Sequence, residues 1–570
     1  MIPRLLRSGA LLALPLVLLF PHPSPAQQVQ QTQQAEHVVL VVWSGLRPDA
    51  VSEALTPTLF RLAQEGTVFS RHHAVYPTTP AVNGVALLTG AYPGRSGLYA
   101  DKVYFPAVDP AKPILSASPL AVRMGDAVSL GQYLSVATLP ELLHDNDAPT
   151  AVAGAGLIPL LADRSTEESR QVPGKEAAAA SSLVYAVPTV STSSSSASAP
   201  APVPLAKGVT VPAALGASLE KILRPLPPEV SLPNSAQDRW MTRALTGPLW
   251  RRGVPKLSIL WLTDPAVTER ESPPGSNSAV LAIRAQDDNL RLLLQRLEEK
   301  GVRGKTDVFV VSDTGYSTVS EGIDVADELA RSGFNAVRKL RPEAVKAAEG
   351  NPAAALAPGQ VLVSGCGGTV LLYVGKHDGE TVSRLLAFLQ RSRFAGVIFS
   401  REAREGAFTL HQANLATGDW ESLPDLLFAM RWSPDANRYG VPGSAPSDIG
   451  SGVRPGACGT LSRFDLHATL IAAGPDLRSG WIDELPTGNA DLAPTITGLL
   501  GLNAPPWMDG RILLEALRGF SAATPTADTE TLSASIGAWS QEMRVVTVNG
   551  ALYIEEGNGG GNNKGGVGEP

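Results

Sequence analysis

Uninterrupted runs of apolar residues recur along the chain, and most of them end at small polar residues or glycine. Because these runs are continuous rather than alternating, they are typical of strands in a sheet that is covered on both faces. The pattern predicts strands at His37–Trp43, Lys256–Leu262, Thr306–Ser312, Thr369–Val374, Gly396–Ser400 and Ala468–Ala473.

Amphipathic helical patterns separate these strands. Thr56 and Pro57 suit the N-cap and the first turn of a helix that continues to Glu65, where a glycine follows. Residues 279–300 and 491–500 also carry apolar positions at helical spacing. The alternation of strands and helices predicts an α/β fold with a mostly parallel central sheet and helices on both faces.

Two regions interrupt this alternation. Residues 173–207 are rich in Ala, Ser and Pro and are predicted to form a flexible surface insertion. Residues 555–570 are rich in Gly and Asn and are predicted to form a disordered tail. The chain from 36 to 530 is long enough to bury a large core, and we expect it to form one domain.

The N-terminus has the layout of a secretory signal peptide. Arg4 and Arg7 precede an apolar run, and a small-residue triplet ends at Ala26. We therefore expect residues 1–26 to be cleaved and the protein to be exported to the periplasm or the extracellular space. An uncleaved N-terminal anchor is the alternative, although the apolar run is short for one. No later segment of the sequence is apolar enough to predict a transmembrane span.

Composition narrows the classes of partner. The 570 residues carry a formal net charge of -7, and no basic stripe is present, so nucleic-acid binding is not expected. Export would permit a disulfide between Cys366 and Cys458, but two cysteines alone do not establish that they pair.

Polar residues stand directly after several predicted strands. In a mostly parallel sheet such residues gather at one edge, where ligands bind. The segments are W-S-G-L-R-P-D from Trp43, T-D-P-A from Thr263 and S-D-T-G-Y-S-T from Ser312, joined by H-H-A-V-Y-P-T-T-P-A-V-N-G and F-D-L-H-A-T-L-I-A-A-G-P-D.

The chain also contains T-P-T-L-F-R-L-A-Q-E-G and L-L-T-G-A-Y-P-G-R-S-G. In sequence and in order, all these segments resemble motifs of the type I phosphodiesterase/nucleotide pyrophosphatase family, in its bacterial branch. That family lies within the alkaline phosphatase superfamily, so the resemblance implies an alkaline-phosphatase-like fold. It also implies two zinc-like divalent ions and a threonine or serine nucleophile at a helix N-terminus. In such a site the two cations hold the phosphoryl oxygens and sharpen the nucleophile.

The first two family motifs are altered in this chain. The family motif W-D-G, whose aspartate binds metal, reads W-S-G here and places Ser44 at that position. The nucleophile motif P-S/T-x-T-x-x-N places the nucleophile at Pro80, which has no hydroxyl group. The resemblance thus implies that the nucleophile is lost.

The later metal-binding motifs are altered as well. The motif P-D-x-x-x-H falls on residues 265–270, so its aspartate becomes Ala266 and its histidine becomes Arg270. The motif S-D-H-G keeps Asp313 but has Thr314 in place of histidine, and Cys458 replaces the histidine of a late H-G motif. Of six implied metal ligands, only Asp313 is unchanged.

One carboxylate and one thiolate cannot build two metal sites. We therefore interpret the chain as a catalytically inactive family member, a pseudoenzyme that binds no metal cofactor. The alternative is an active metal-dependent phosphodiesterase or phosphatase with a rearranged site. Ser44 or Thr79 could serve as a displaced nucleophile, but no histidine in the motifs is placed to act as a base. Thr79 fits a helix N-cap better, with Pro80 as the first helical residue.

Arg270 brings a fixed positive charge into the vacated site. One hypothesis is that Thr79, Asn83 and Arg270 form a pocket for a small anion, phosphate-like or carboxylate. The other is that a salt bridge from Arg270 to Asp313 fills the site. The sequence names no protein partner.

Overall fold

The computed structural model describes residues 33–164, 182–186, 209–211, 214–228, 232–348, 350–416, 422–520 and 525–561. The predicted signal peptide, residues 1–26, lies outside these ranges, as does most of the predicted insertion. Residues 182–186 of that insertion form a strand that pairs in parallel with Thr150–Gly154. The prediction of a flexible segment is therefore wrong for these five residues, whose S-L-V-Y-A sequence has the β-branched and aromatic character of a strand.

A nine-stranded sheet forms the centre of the molecule, with His37–Trp43 as its middle strand. In spatial order the strands are Trp481–Gly488, Thr67–His73, Leu470–Ala473, Thr306–Val311, His37–Trp43, Leu257–Leu262, Thr150–Gly154, Ser182–Ala186 and Val209–Val211.

The central sheet is mostly parallel. His37–Trp43 pairs in parallel with Leu257–Leu262 on one side and with Thr306–Val311 on the other. Leu470–Ala473 is antiparallel to both of its neighbours. The predicted α/β fold with a mostly parallel central sheet is confirmed, and these four strands lie where the apolar runs placed them.

Both faces of the sheet are covered at its centre, which explains why the strands His37–Trp43, Leu257–Leu262 and Thr306–Val311 are buried along almost their whole length. Leu40 belongs to one apolar cluster together with Val85 of the helix Pro80–Thr89. Val41 faces the opposite way and packs in a second cluster with Leu290 of the helix Asn277–Glu299. Alternate residues of one strand therefore anchor helices on opposite faces.

The α-helices were in part predicted from their caps. The helix Pro57–Glu65 begins after Thr56 and ends at Gly66, as expected. The others are Pro80–Thr89, Pro93–Ser96, Pro119–Ser129, Leu139–His144, Ala214–Leu223, Ser235–Ala244, Ala266–Glu271, Asn277–Glu299, Val325–Arg331, Pro342–Ala347, Gly379–Leu389, Arg463–Leu466 and Leu492–Leu499. No helix among the described residues has the length and apolar character needed to cross a bilayer.

Two of the predicted strands belong to a different sheet. Thr369–Val374 and Ala395–Ser400 both pair antiparallel with Leu426–Met430, outside the central sheet. This six-stranded sheet has the order Ala336–Val337, Val361–Cys366, Thr369–Val374, Leu426–Met430, Ala395–Ser400 and Phe408–Thr409. A four-stranded sheet has the order Ser433–Ala436, Pro442–Asp448, Ser317–Ile323 and Gly456–Ala457, and a two-stranded ribbon joins Lys102–Val103 to Ile114–Leu115.

The C-terminal segment forms a three-stranded antiparallel sheet of Ala527–Ile536, Trp539–Val548 and Ala551–Gly561. Met543 and Ile554 of this sheet are buried in an apolar cluster with residues of the six-stranded sheet. The prediction of a disordered tail from residue 555 is therefore wrong for residues 555–561, and the folded chain continues beyond 530. The apolar side chains on one face of these strands supply the burial that the Gly/Asn-rich composition did not suggest.

Candidate ligand-binding site

Ser44 and Asp313 meet at the carboxyl edge of the central sheet, where two adjacent strands end. The Ser44 hydroxyl donates to Oδ2 of Asp313 at 2.8 Å, and the Gly45 amide donates to Oδ1 at 3.2 Å. Gly45 has φ +84°, and a Cβ there would lie 2.9 Å from the Ala266 amide nitrogen, so only glycine fits this turn. Burial raises the pKa of Asp313 to about 6, although the Ser44 and Gly45 hydrogen bonds oppose that rise.

The helix Pro80–Thr89 begins at the same edge. Thr79 occupies the N-cap and Pro80 the first helical position, as predicted, but the Thr79 side chain makes no capping hydrogen bond. The Asp101 carboxylate takes that role, since its Oδ1 accepts a hydrogen bond from the Ala81 amide at 2.7 Å. A carboxylate of the chain itself therefore occupies the anion-binding end of this helix.

Asn83 does not face the site. Its side chain is fully buried and bonds both the amide and the carbonyl of Val75, at 2.6 and 2.9 Å. The Asn489 amide also donates to Asn83 Oδ1 at 2.9 Å. Because these contacts use the Asn83 amide to fix the chain before the helix, the inclusion of Asn83 in an anion pocket is wrong. The Thr79 side chain is also buried and lines no part of the cavity described below.

Arg270 lies near the end of the short helix Ala266–Glu271. Its Nη2 faces the Tyr316 hydroxyl at 3.4 Å. The electrostatic influence of Tyr316, with smaller ones from Cys458 and Asp101, holds the pKa of the guanidinium above its ordinary value. Asp313 has its hydrogen bonds from Ser44 and Gly45, and none of the ion pairs among the described residues joins Arg270 to Asp313, so the predicted plug is wrong.

A cavity of about 460 Å³ opens beside these residues. Its polar wall includes Arg270, Arg454 and Asp101, and its apolar wall includes Trp261 and Ile158. Arg454 pairs with Glu271 at 3.1 Å, and burial together with the nearby Arg270 lowers the pKa of Arg454. A volume of this size accommodates a small organic ligand.

The structure brings the altered family positions together. Of the positions singled out in the sequence, five line this one cavity: Ser44, Pro80, Ala266, Arg270 and Cys458. The other two are buried behind it, where Asp313 bonds Ser44, while the Thr314 hydroxyl has no hydrogen-bond partner among the described residues.

Cys458 packs with Ala266 and Tyr316 in a small buried apolar cluster. Burial raises the pKa of the Cys458 thiol well above its ordinary value, which disfavours the thiolate that a metal needs. Cys366 lines the same cavity, and both cysteines are free thiols in the structure.

The residues at the family positions do not fit two zinc ions. A zinc site needs about four donors from Asp, Glu, His or Cys. Here Asp313 has both oxygens engaged by Ser44 and Gly45, Arg270 adds a positive charge, and Ala266 offers no donor. No catalytic step through metal can be built on this donor set.

Sequence reasoning did not identify three residues of the site: Asp101, Tyr316 and Arg454. Tyr316 ends the segment S-D-T-G-Y, so its place after a strand could have indicated it. No local pattern marks Asp101 or Arg454, because each reaches the cavity from a loop.

The fold is similar to solved structures of nucleotide pyrophosphatases. They include murine ectonucleotide pyrophosphatase / phosphodiesterase 5, as an inactive variant in complex with AMP, and the human protein of the same name. Each has a TM-score of 0.54 and 13% sequence identity, and each match covers 85% of this chain and 100% of the other. At this identity the likeness shows the fold alone.

No curated protein sequence matches the chain. The family model described as type I phosphodiesterase / nucleotide pyrophosphatase matches residues 38–364, which is more than half of the chain. The segment includes Ser44, Pro80, Ala266, Arg270 and Asp313. The chain therefore belongs to the type I phosphodiesterase / nucleotide pyrophosphatase family of the alkaline phosphatase superfamily.

Proposed function

We propose that this protein is an exported pseudoenzyme of its family, which binds a small phosphate-like or carboxylate anion at Arg270 and does not hydrolyse it. The observation that carries the proposal is the Arg270 guanidinium on the wall of the 460 Å³ cavity, at a position where the family has a metal ligand. Export is supported by the signal-peptide pattern of residues 1–26.

The absence of hydrolysis follows from the chemistry at the helix N-terminus. Pro80 offers no hydroxyl, and the neighbouring Thr78 hydroxyl donates to the Thr460 carbonyl at 2.9 Å while it accepts from the Gly459 amide. An alcohol nucleophile needs a base to activate it, whereas the partners of the Thr78 hydroxyl among the described residues are backbone groups.

Anion binding is supported by the charge and shape of the cavity. Among the described residues, the Arg270 guanidinium has a single, long hydrogen bond, to Tyr316, so its remaining donors can reach a ligand oxygen. Arg454 lies on the same wall, and Trp261 lies among the apolar groups. The Asp101 carboxylate competes with the ligand, because it already holds the helix N-terminus and its charge opposes an incoming anion.

Calorimetric titration tests the binding. Inorganic phosphate, acetate and AMP are titrated into the mature protein, AMP being the ligand in the murine structure. We expect at least one to bind, Arg270→Gln to abolish the binding, and the exposed control Arg291→Gln to keep it. Failure of all three ligands to give heat above dilution overturns the anion proposal.

Hydrolysis is assayed separately on an activated phosphodiester, with added Zn²⁺ or Mg²⁺ and then with a chelator. We expect no turnover above the uncatalysed rate. Turnover that the chelator abolishes would overturn the pseudoenzyme proposal and favour an active enzyme with a rearranged site.

A further inference from the structure

Two histidines and a glutamate meet at a second place in the molecule, and none of the three lines the Arg270 cavity. His73 ends the strand Thr67–His73, His467 follows the helix Arg463–Leu466, and Glu555 lies on the strand Ala551–Gly561. One ligand atom from each lies within 4.8 Å of the other two. An antiparallel bridge between His73 and His467 fixes the two backbones beside each other.

The hydrogen bonds of His73 determine which of its nitrogens is free. Nδ1 lies 3.0 Å from the Thr487 carbonyl oxygen, which can only accept, so Nδ1 carries the proton. In the neutral ring Nε2 then has a lone pair. His73 is 1% exposed, and Nε2 has no hydrogen-bond partner among the described residues although it points at Glu555. A backbone carbonyl on one nitrogen and a free lone pair on the other is the arrangement of a metal-binding histidine.

The distance from each histidine to the Glu555 carboxylate is close to that between two ligands of a tetrahedral cation. His73 Nε2 lies 3.4 Å from Glu555 Oε1, and His467 Nε2 lies 3.2 Å from Glu555 Oε2. Bonds of about 2.0–2.1 Å to zinc give ligand-to-ligand distances of roughly 3.3 Å in a tetrahedron. Two imidazoles and a carboxylate are also a donor set that zinc takes.

Arg71 is the group that would compete with a cation. Its guanidinium forms an ion pair with Glu555, which could by itself neutralise the carboxylate. The Arg71 side chain is 40% exposed, however, so it can return to solvent at little cost. The His467 side chain is 36% exposed, which gives a cation a path to the cluster and leaves room for a water ligand.

We propose that His73, His467 and Glu555 bind one divalent cation of the zinc class, with water as the fourth ligand. The site joins the C-terminal strand to the central sheet, because Glu555 lies on the former and His73 on the latter. A cation that binds only the folded chain stabilises it by mass action. This inference does not depend on the anion pocket.

The test uses Zn²⁺ alone on the full mature protein after treatment with a chelator. We expect calorimetry to show one tight site per chain and the melting temperature to rise with zinc concentration. Replacement by Co²⁺ should give the visible absorption of a tetrahedral site. His467→Ala should weaken zinc binding beyond the roughly 10- to 100-fold that loss of a second-shell group causes.

Arg71→Ala separates a metal site from a plain ion-pair cluster. If zinc replaces the Arg71 guanidinium at Glu555, the Arg71→Ala variant should bind zinc more tightly than the native chain. If the three residues form only an ion-pair cluster, the variant should lose stability and gain no affinity for zinc. His377→Ala serves as the control, because His377 is a half-exposed histidine that pairs with a different carboxylate, Asp425, and zinc binding should be unchanged. The proposal is overturned if the native chain binds no zinc, if His467→Ala binds it equally well, or if Cys458→Ser is the variant that loses it.

Discussion

The Ser44 hydroxyl donates a 2.8 Å hydrogen bond to Asp313, and the two residues thereby join the ends of two adjacent strands of the central sheet. Both residues are buried, with Ser44 4% exposed and Asp313 fully inaccessible to solvent. The bond gives the buried Asp313 carboxylate a donor, so this carboxylate is not left unpaired.

Ser44→Ala should therefore destabilise the fold. A hydrogen bond to a charged group contributes about 1.5–3 kcal/mol, and we expect a loss in that range at pH 8, where Asp313 is ionised. The loss should be smaller at pH 5, below the pKa of about 6 that burial gives Asp313. Urea denaturation at the two pH values measures the difference.

Ser433→Ala is the matched control for that experiment, because Ser433 donates to Asp435 at 2.7 Å on the exposed surface. It should change the free energy of unfolding by less than about 0.5 kcal/mol at both pH values. Equal losses for the two variants would contradict the importance of the buried pair.

Asp101→Asn should strengthen anion binding at Arg270. The substitution removes a negative charge from the cavity wall while an amide oxygen can still accept from the Ala81 amide. We expect the affinity for phosphate or AMP to rise on the order of tenfold, as the loss of a nearby like charge implies. Calorimetry measures the change, with the exposed Asp145→Asn as control; an unchanged affinity would place the ligand elsewhere.

Pro80→Thr should not restore hydrolysis. It returns a hydroxyl to the helix N-terminus, but Ala266, Arg270 and Cys458 still provide no metal site. The helix should persist, with a destabilisation of about 0.4–1 kcal/mol from the greater freedom of the unfolded chain. Assay of an activated phosphodiester should give the rate of the unaltered protein, and a chelator-sensitive increase would show that only the nucleophile was missing.

Asp264→Asn should change how stability depends on pH. Asp238 and Asp264 are buried together, and burial with the Asp264 charge raises the pKa of Asp238 to about 8. Because the pKa of Asp238 is higher in the folded than in the unfolded chain, the folded chain binds a proton more tightly. The contribution of this proton to the free energy of unfolding is complete below about pH 4, the ordinary pKa of Asp, and is lost as the pH rises towards 8. Removing the Asp264 charge lets Asp238 ionise more easily and should make that loss shallower.

The measurement is urea denaturation of both proteins between pH 5 and 9, at several points. The Asp264 Oδ2 atom has no hydrogen-bond partner among the described residues, so the amide removes no bond there. We expect the variant to gain on the order of 1–2 kcal/mol relative to the unaltered protein at pH 8, since each pKa unit corresponds to about 1.4 kcal/mol. The exposed Asp288→Asn is the control, and a profile parallel to that of the unaltered protein would contradict the prediction.

Much of the site could be predicted from the motifs. The positions of Ser44, Pro80, Ala266, Arg270 and Cys458 relative to strands and helices were enough to expect them at one edge, and all five line one cavity. Asn83 was misplaced, because a buried amide turns to whichever backbone groups are unsatisfied, and here these belong to Val75. Its sequence position could not show that.

The C-terminal strand Ala551–Gly561 was missed for a different reason. Its glycines and Asn558 suggest disorder from residue 555, yet Glu555 and Glu556 are buried, and Glu555 contacts Arg71 and His467, which lie far away in the sequence. Composition describes what a segment can form alone, whereas burial depends on the surface it meets.

The sequence by itself determined the α/β class, the apolar strands it marked and the helix that runs from Pro57 to Glu65, because these depend on residue type, local spacing and caps. The tertiary structure alone decided that Asp101 holds the helix N-terminus, that Arg270 faces Tyr316 rather than Asp313, and that His73 meets His467 and Glu555. These contacts join distant segments, and their geometry follows from how the sheets and helices pack rather than from any local pattern.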